Sequence, residues 1–204
     1  MVDTMPLPHG WLPSCTSLKH CTVVLGGSFN PPHMGHQAAI LFLLEALQAE
    51  QVWLTPVYQH PFGKNLIPFE HRLAMCRLLA APFAERCVVS AAEEVVGKGG
   101  TTFALMEYFT QQYPEKEWVV GLGADISREF AQWYRAADVL KNWPVVVLGR
   151  GHESNLLSHT PPVPNISSTE VRQRLAEGHS VWGWLPHSVY HYIESHKLYS
   201  AEYK

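Results

Sequence analysis

His33 and His36 are the residues of this chain best placed by type and spacing to do chemistry, because side chains three apart share one face of a helix. They close the segment Val23-Val24-Leu25-Gly26-Gly27-Ser28-Phe29-Asn30-Pro31-Pro32-His33-Met34-Gly35-His36. Its first residues are apolar and β-branched, which marks a buried strand, and Gly26-Gly27-Ser28 then allows a tight turn with unobstructed amides. Pro31 and Pro32 keep the chain out of α-helix until Met34. A helix from Met34 to Ala49 therefore has both histidines at its first turn, where backbone amides and the helix dipole favour an anion. Phosphate is the ligand this arrangement suits.

Other chemistry fits the same residues less well. A catalytic zinc site needs a third protein ligand, and the spacing is not the i, i+4 of a helical zinc motif. A dinucleotide fingerprint requires G-x-G-x-x-G, and a P-loop requires a Gly-Lys-Ser/Thr ending; Gly97-Lys98-Gly99-Gly100-Thr101 only imitates the latter. Two histidines capping an ordinary surface helix would need neither the strand nor the glycines that precede them.

A second segment, Ile166-Ser167-Ser168-Thr169-Glu170-Val171-Arg172, follows an extended Pro161-Pro162-Val163-Pro164-Asn165 stretch. Ser167 or Ser168 is suited to cap a helix, with Glu170 at about capping-box distance and Arg172 projecting from the first turn. An ordinary capped helix explains the serines. The arginine adds a planar cation that suits a triphosphate.

Together these two segments carry a family resemblance. Gly-Ser-Phe-Asn-Pro-Pro-His-Met-Gly-His resembles the signature of the H-x-G-H nucleotidyltransferase superfamily, and within it the nicotinate or nicotinamide mononucleotide adenylyltransferases. Ile166 to Arg172 resembles the same family's I-S-S-T-x-x-R element, in the right order and separation. The resemblance implies an enzyme that moves AMP from ATP to a pyridine mononucleotide, with Mg2+ accompanying ATP. It implies His36 as the main donor to the transition state, His33 as a phosphate ligand and Arg172 as the triphosphate clamp. Around ATP it also implies Gly27, Ser28 and Phe29 of the first segment, and Ile166, Ser168 and Thr169 of the second.

Further positions follow from the same resemblance. Gly121-Leu122-Gly123-Ala124-Asp125 matches a G-A-D element, which puts Gly123 and Asp125 beside nucleotide ribose. Asp125 has a second reading, as the cap of a helix beginning at Ser127. Trp133 and Tyr134 stand where the family places an aromatic that stacks on pyridine. Thr102 and Phe103 stand where backbone groups meet the pyridine substituent, although Ala104 replaces the usual aspartate. His60-Pro61-Phe62-Gly63-Lys64 departs from the family's P-P-H-K loop, with Lys64 the candidate phosphate lysine. Phe69 to Met75 resembles the H-R-L-x-M helix, in which Arg72 reads equally as a surface ion-pair partner or a phosphate ligand. Phosphopantetheine transfer within the superfamily, and a catalytically silent nucleotide-binding module, are the rival readings. Trp133 and the G-A-D element favour pyridine nucleotide; the histidines and Arg172 favour catalysis.

The elements that must hold these residues alternate along the chain. Strands are predicted at Cys21–Leu25, Gln51–Thr55, Cys87–Ser90, Trp118–Gly123 and Pro144–Leu148. Helices are predicted at Pro68–Ala81, Thr101–Tyr113, Ser168–Glu177 and Pro186–His196, with helical material before Leu140. The alternation predicts an α/β, Rossmann-like open parallel sheet with helices on both faces and ligands at the strands' carboxyl ends. Residues 1–20 read as a flexible tail and 21–204 as one domain.

The chain has 204 residues and a formal net charge of −3, so no global basic field suggests nucleic acid. No apolar run approaches the ~18 residues of a membrane span, and Met1 to His20 lacks a secretory layout, so no membrane and a cytoplasmic setting are expected. Cys15, Cys21, Cys76 and Cys87 have no metal or disulfide spacing. Oligomeric state is left open.

Overall fold

Apolar β-branched runs become strands where the alternation predicts them. In chain order the strands are β1 (Trp11–Leu12), β2 (Cys21–Gly27), β3 (Gln51–Pro56), β4 (Cys87–Val89), β5 (Glu117–Gly123) and β6 (Val145–Leu148). The computed structural model describes residues 11–12, 17–59, 66–97, 101–123, 130–149 and 166–200. All pairings are parallel, in the order β1-β6-β5-β2-β3-β4. The chain runs outward from β2 through β3 to β4, then crosses back to β5 and β6. The switch point lies between β2 and β5, where Val24 pairs with Val120 and Leu25 with Gly121.

Strand side chains alternate between two cores. Val23, Leu25, Leu54, Val119 and Val146 face one core, and Val24, Trp53, Trp118, Val120 and Val145 face the other. The helices are α1 (Met34–Leu41), α2 (Phe69–Ala80), α3 (Ala92–Val96), α4 (Thr102–Gln112), α5 (Ala136–Asn142), α6 (Ser168–Ala176) and α7 (His187–Ser195). α1, α2, α6 and α7 cover the first face through Ile40, Met75, Val171 and Ile193; α3, α4 and α5 cover the second through Ala92, Phe109 and Val139. Both faces are thus buried, as an all-parallel sheet requires. Among the described residues no helix is long and apolar enough to cross a membrane.

The structure departs from the sequence expectations at several points. The helix expected to run to Ala49 is α-helical only to Leu41 and continues as one π-turn, Phe42–Ala46. Its wider turn keeps Leu43, Leu44 and Leu47 all inside the core. The span 1–20, expected as a flexible tail, contains a two-residue parallel edge strand on β6, and Leu18 is buried, its N–H donating to Leu47 O at 2.6 Å. Two residues pairing with a distant strand leave no periodicity to detect. The short helix α3 was not foreseen either. The Pro161–Asn165 stretch and the helix start at Ser127 lie outside the described residues.

Candidate active site

The first histidine segment is assembled by close packing behind a glycine. Phe29 takes a left-handed φ of 46° and buries its ring. A Cβ on Gly27 would stand 3.3 Å from that ring, so only glycine lets it lie there without displacement. The ring then packs against His36, with centroids 4.9 Å apart. His33, at the N-cap of α1, is 1% exposed, and its ring lies 3.8 Å from that of half-buried His36.

One hydrogen bond fixes the chemistry of His36. The backbone N–H of His33 donates to His36 Nδ1 at 3.1 Å. Nδ1 must therefore be unprotonated in that arrangement, which puts the ring hydrogen of a neutral imidazole on Nε2. Several first-turn amides of α1 are already engaged: Met34 N–H donates to Trp184 O at 2.9 Å, and His36 and Gln37 N–H donate to His33 O at 2.9 and 3.2 Å. The anion-binding capacity expected of bare amides is thus narrowed, and more of it rests on the imidazoles.

The second segment docks on the first. Of the two serines expected as caps, Ser167 caps α6, its hydroxyl accepting from Glu170 N–H at 3.1 Å. Ser168 Oγ donates to Pro31 O at 2.8 Å, and Arg172 Nη1 donates to Asn30 O at 2.7 Å. Arg172 Nη2 also donates to exposed Thr169 Oγ1 at 3.2 Å. Burial pulls the Arg172 pKa down, although a guanidinium stays charged at any physiological pH. The partly desolvated cation is therefore oriented by neutral carbonyl and hydroxyl oxygens, which leaves its charge available to a phosphate.

The pyridine-side candidates lie against the other core. Thr102 opens α4 behind Thr101, whose hydroxyl accepts from Ala104 N–H at 3.3 Å. Phe103 is buried, its ring edge-on to Trp143 at 5.6 Å and beneath the Arg135 guanidinium at 3.7 Å. The ring is thus committed to packing, consistent with a role through backbone groups alone. Half-buried Trp133 leans on Phe130 at 5.2 Å, and neighbouring Tyr134 is 65% exposed. Gly123 ends β5 opposite Leu148, and Ile166 is buried in the first core. Lys64, His60 and Asp125 lie outside the described residues.

Two residues were misread or missed. Arg72 is neither an exposed ion-pair partner nor a phosphate ligand: it is 1% exposed and its guanidinium is taken up by backbone carbonyls. Alternating charge along α2 gives no sign of which residue turns inward. Asn30 lies within the first motif, and nothing in its local sequence announces a role for it. It is buried, and its Oδ1 accepts from Tyr199 O–H at 2.8 Å, so the chain's far end braces the histidine loop.

Comparison with known proteins extends the picture. A cytidylyltransferase-like family model matches residues 24–174. A protein of Anaeromyxobacter dehalogenans (strain 2CP-C) named "Probable nicotinate-nucleotide adenylyltransferase" is 42% identical over 179 residues, covering 86% of this chain and 95% of its own. A Myxococcus xanthus protein of the same name is 35% identical, covering 88% of this chain and 94% of its own. The solved structure of Plasmodium falciparum nicotinic acid mononucleotide adenylyltransferase complexed with NaAD shares the fold, with a TM-score of 0.74 at 19% identity over 88% of this chain and 98% of that one.

Proposed function

The chain belongs to the cytidylyltransferase-like family, and within it to the nicotinate-nucleotide adenylyltransferases, and from that premise we propose that it transfers the adenylyl group of ATP to nicotinate mononucleotide. The 5′-phosphate oxygen of the mononucleotide attacks the α-phosphorus of ATP in line. A P–O bond to the dinucleotide forms as the bond to pyrophosphate breaks. A phosphomonoester has its second pKa near ~6, so the nucleophile is largely ionised at neutral pH and needs no general base.

What the protein must supply is position and charge stabilisation. His36, held through Nδ1 by the His33 amide, presents Nε2–H to oxygens of the phosphate under attack. His33 shares that phosphate, and Arg172 meets the triphosphate with Thr169 and Ser168 alongside. Gly27, Ser28 and Phe29 shape the floor through backbone and packing. Gly123 and Asp125 serve the ribose, while Trp133 with Tyr134 stacks on the pyridine, and Thr102, Phe103 and Lys64 complete the mononucleotide pocket. Mg2+ arrives as part of the ATP substrate, coordinated by phosphate and water.

The observation that carries this reading is the docking of Arg172 and Ser168 onto Asn30 and Pro31, beside the paired histidines. The test is product formation from Mg-ATP with nicotinate mononucleotide, nicotinamide mononucleotide or phosphopantetheine in separate reactions. A kcat/KM highest for nicotinate mononucleotide supports the proposal. Turnover only with phosphopantetheine, or none with any acceptor, overturns it.

A further inference from the structure

Among the described residues Arg72 is the largest fully buried side chain, and it lies on α2 behind the site rather than in it. Its Nε donates to Ile67 O at 3.1 Å, Nη1 to Ser28 O at 3.0 Å and Val57 O at 2.7 Å, and Nη2 to Tyr58 O at 3.2 Å. These carbonyls come from three separate segments: the exit of β2, the exit of β3 and the approach to α2. Tyr58 is held from two further directions. Its N–H donates to the buried Glu93 carboxyl, and its ring packs edge-on to Phe69 at 5.1 Å. Burial pushes the Glu93 carboxyl up to about 7, against the opposing pull of the Tyr58 amide and of Arg72.

A buried guanidinium is a poor device for stability alone, since well-packed apolar side chains of similar volume often do as well or better. What it supplies is direction. The planar fork fixes several N–H vectors at once, and here they converge on the two strand exits that flank the histidine loop. We propose that Arg72, braced by Glu93, is a positioning residue for adenylyl transfer: it locks the β2 and β3 exits together, so that the histidine segment keeps its place against Val57 and Tyr58. This rests on the activity proposed above and adds to it a residue that touches no substrate.

The test compares wild type with Arg72→Lys, which keeps the charge but not the fork. Folding is checked by circular dichroism and Tm, and kinetics are run well below Tm with both substrates saturating. The expected result is a folded variant whose kcat is ~30-fold lower, since small misplacements far from the chemistry cost up to ~100-fold. Amide exchange supplies a readout independent of activity. Val57 N–H donates to Gly27 O across the two exits at 2.9 Å, whereas Val120 N–H donates to Pro144 O elsewhere in the sheet. Exchange should accelerate ~10-fold at Val57 and stay unchanged at Val120. A folded variant within threefold of wild-type kcat, or unchanged Val57 exchange, overturns the proposal. If Arg72→Lys does not fold, Glu93→Met decides: it removes the acceptor for Tyr58 N–H and should lower kcat about fivefold, and unchanged kcat overturns the clamp. If the wild-type protein makes no dinucleotide, the activity reading fails and the exchange result alone judges Arg72.

Discussion

α1 and α6 both begin beside the Asn30–Pro31 segment, α1 because it follows that segment in the chain and α6 through hydrogen bonds from Ser168 and Arg172, yet α1 opens on imidazoles and α6 on a serine hydroxyl. At α1 the capping groups are themselves the candidate reactive groups: His33 supplies its amide to His36 Nδ1 and so sets the proton on Nε2. At α6 the two jobs are divided. Ser167 caps the helix, while Ser168 and Arg172 reach across to the other motif. The difference teaches that a helix start becomes a site when side-chain donors replace or supplement its amides. A cap that merely satisfies its own helix contributes stability only.

That contrast can be broken most sharply at α1. His36→Ala should lower kcat by ~100-fold or more while leaving Tm nearly unchanged, by analogy with removal of one transition-state donor. Steady-state rates within a few-fold of wild type would remove His36 from the chemistry. Next in size is Arg172→Ala, expected to reduce kcat/KM for ATP about 10- to 30-fold, as befits loss of a charge-assisted phosphate contact. The loss should appear mainly in KM for ATP, with the mononucleotide KM little changed; the reverse split would place Arg172 on the wrong substrate.

The remaining two substitutions separate docking from capping. Ser168→Ala removes the hydroxyl donated to Pro31 O and should cost ~1 kcal/mol of stability, with a few-fold loss of kcat as α6 loosens from the histidine loop. Ser167→Ala removes only the local cap. Urea unfolding should show a loss of ~0.5 to 1 kcal/mol, with kcat unchanged at temperatures where the protein is folded. Equal effects of the two serines on kcat would erase the distinction drawn between them.

Much of the fold was legible because it is written in short-range pattern. β-branched apolar runs announced five strands, and β3, β4, β5 and β6 begin and end within one residue of their predicted limits, while β2 runs on through Gly26 and Gly27, the residues expected to turn, because both pair with β3. A serine cap at position 167 or 168 was readable from the local spacing, and the structure assigns it to Ser167. The π-turn after Leu41 was not, since the run Leu41 to Ala46 has the same apolar character in either helical form. Nor was α3, whose Glu93 and Glu94 resemble a solvated face until tertiary packing turns Glu93 inward.

For the site itself, the sequence by itself determined the strand, the histidine spacing and the capped second helix, because each depends on residues a few positions apart. Only the tertiary structure decided that Ser168 meets Pro31 across 137 positions, that Arg172 meets Asn30 across 142, and that Tyr199 braces Asn30 across 169. It also decided that Arg72 is a buried tie between strand exits. The physical reason is that a side chain's burial and partners depend on which distant surface its element packs against, and neither residue type nor local period encodes that surface.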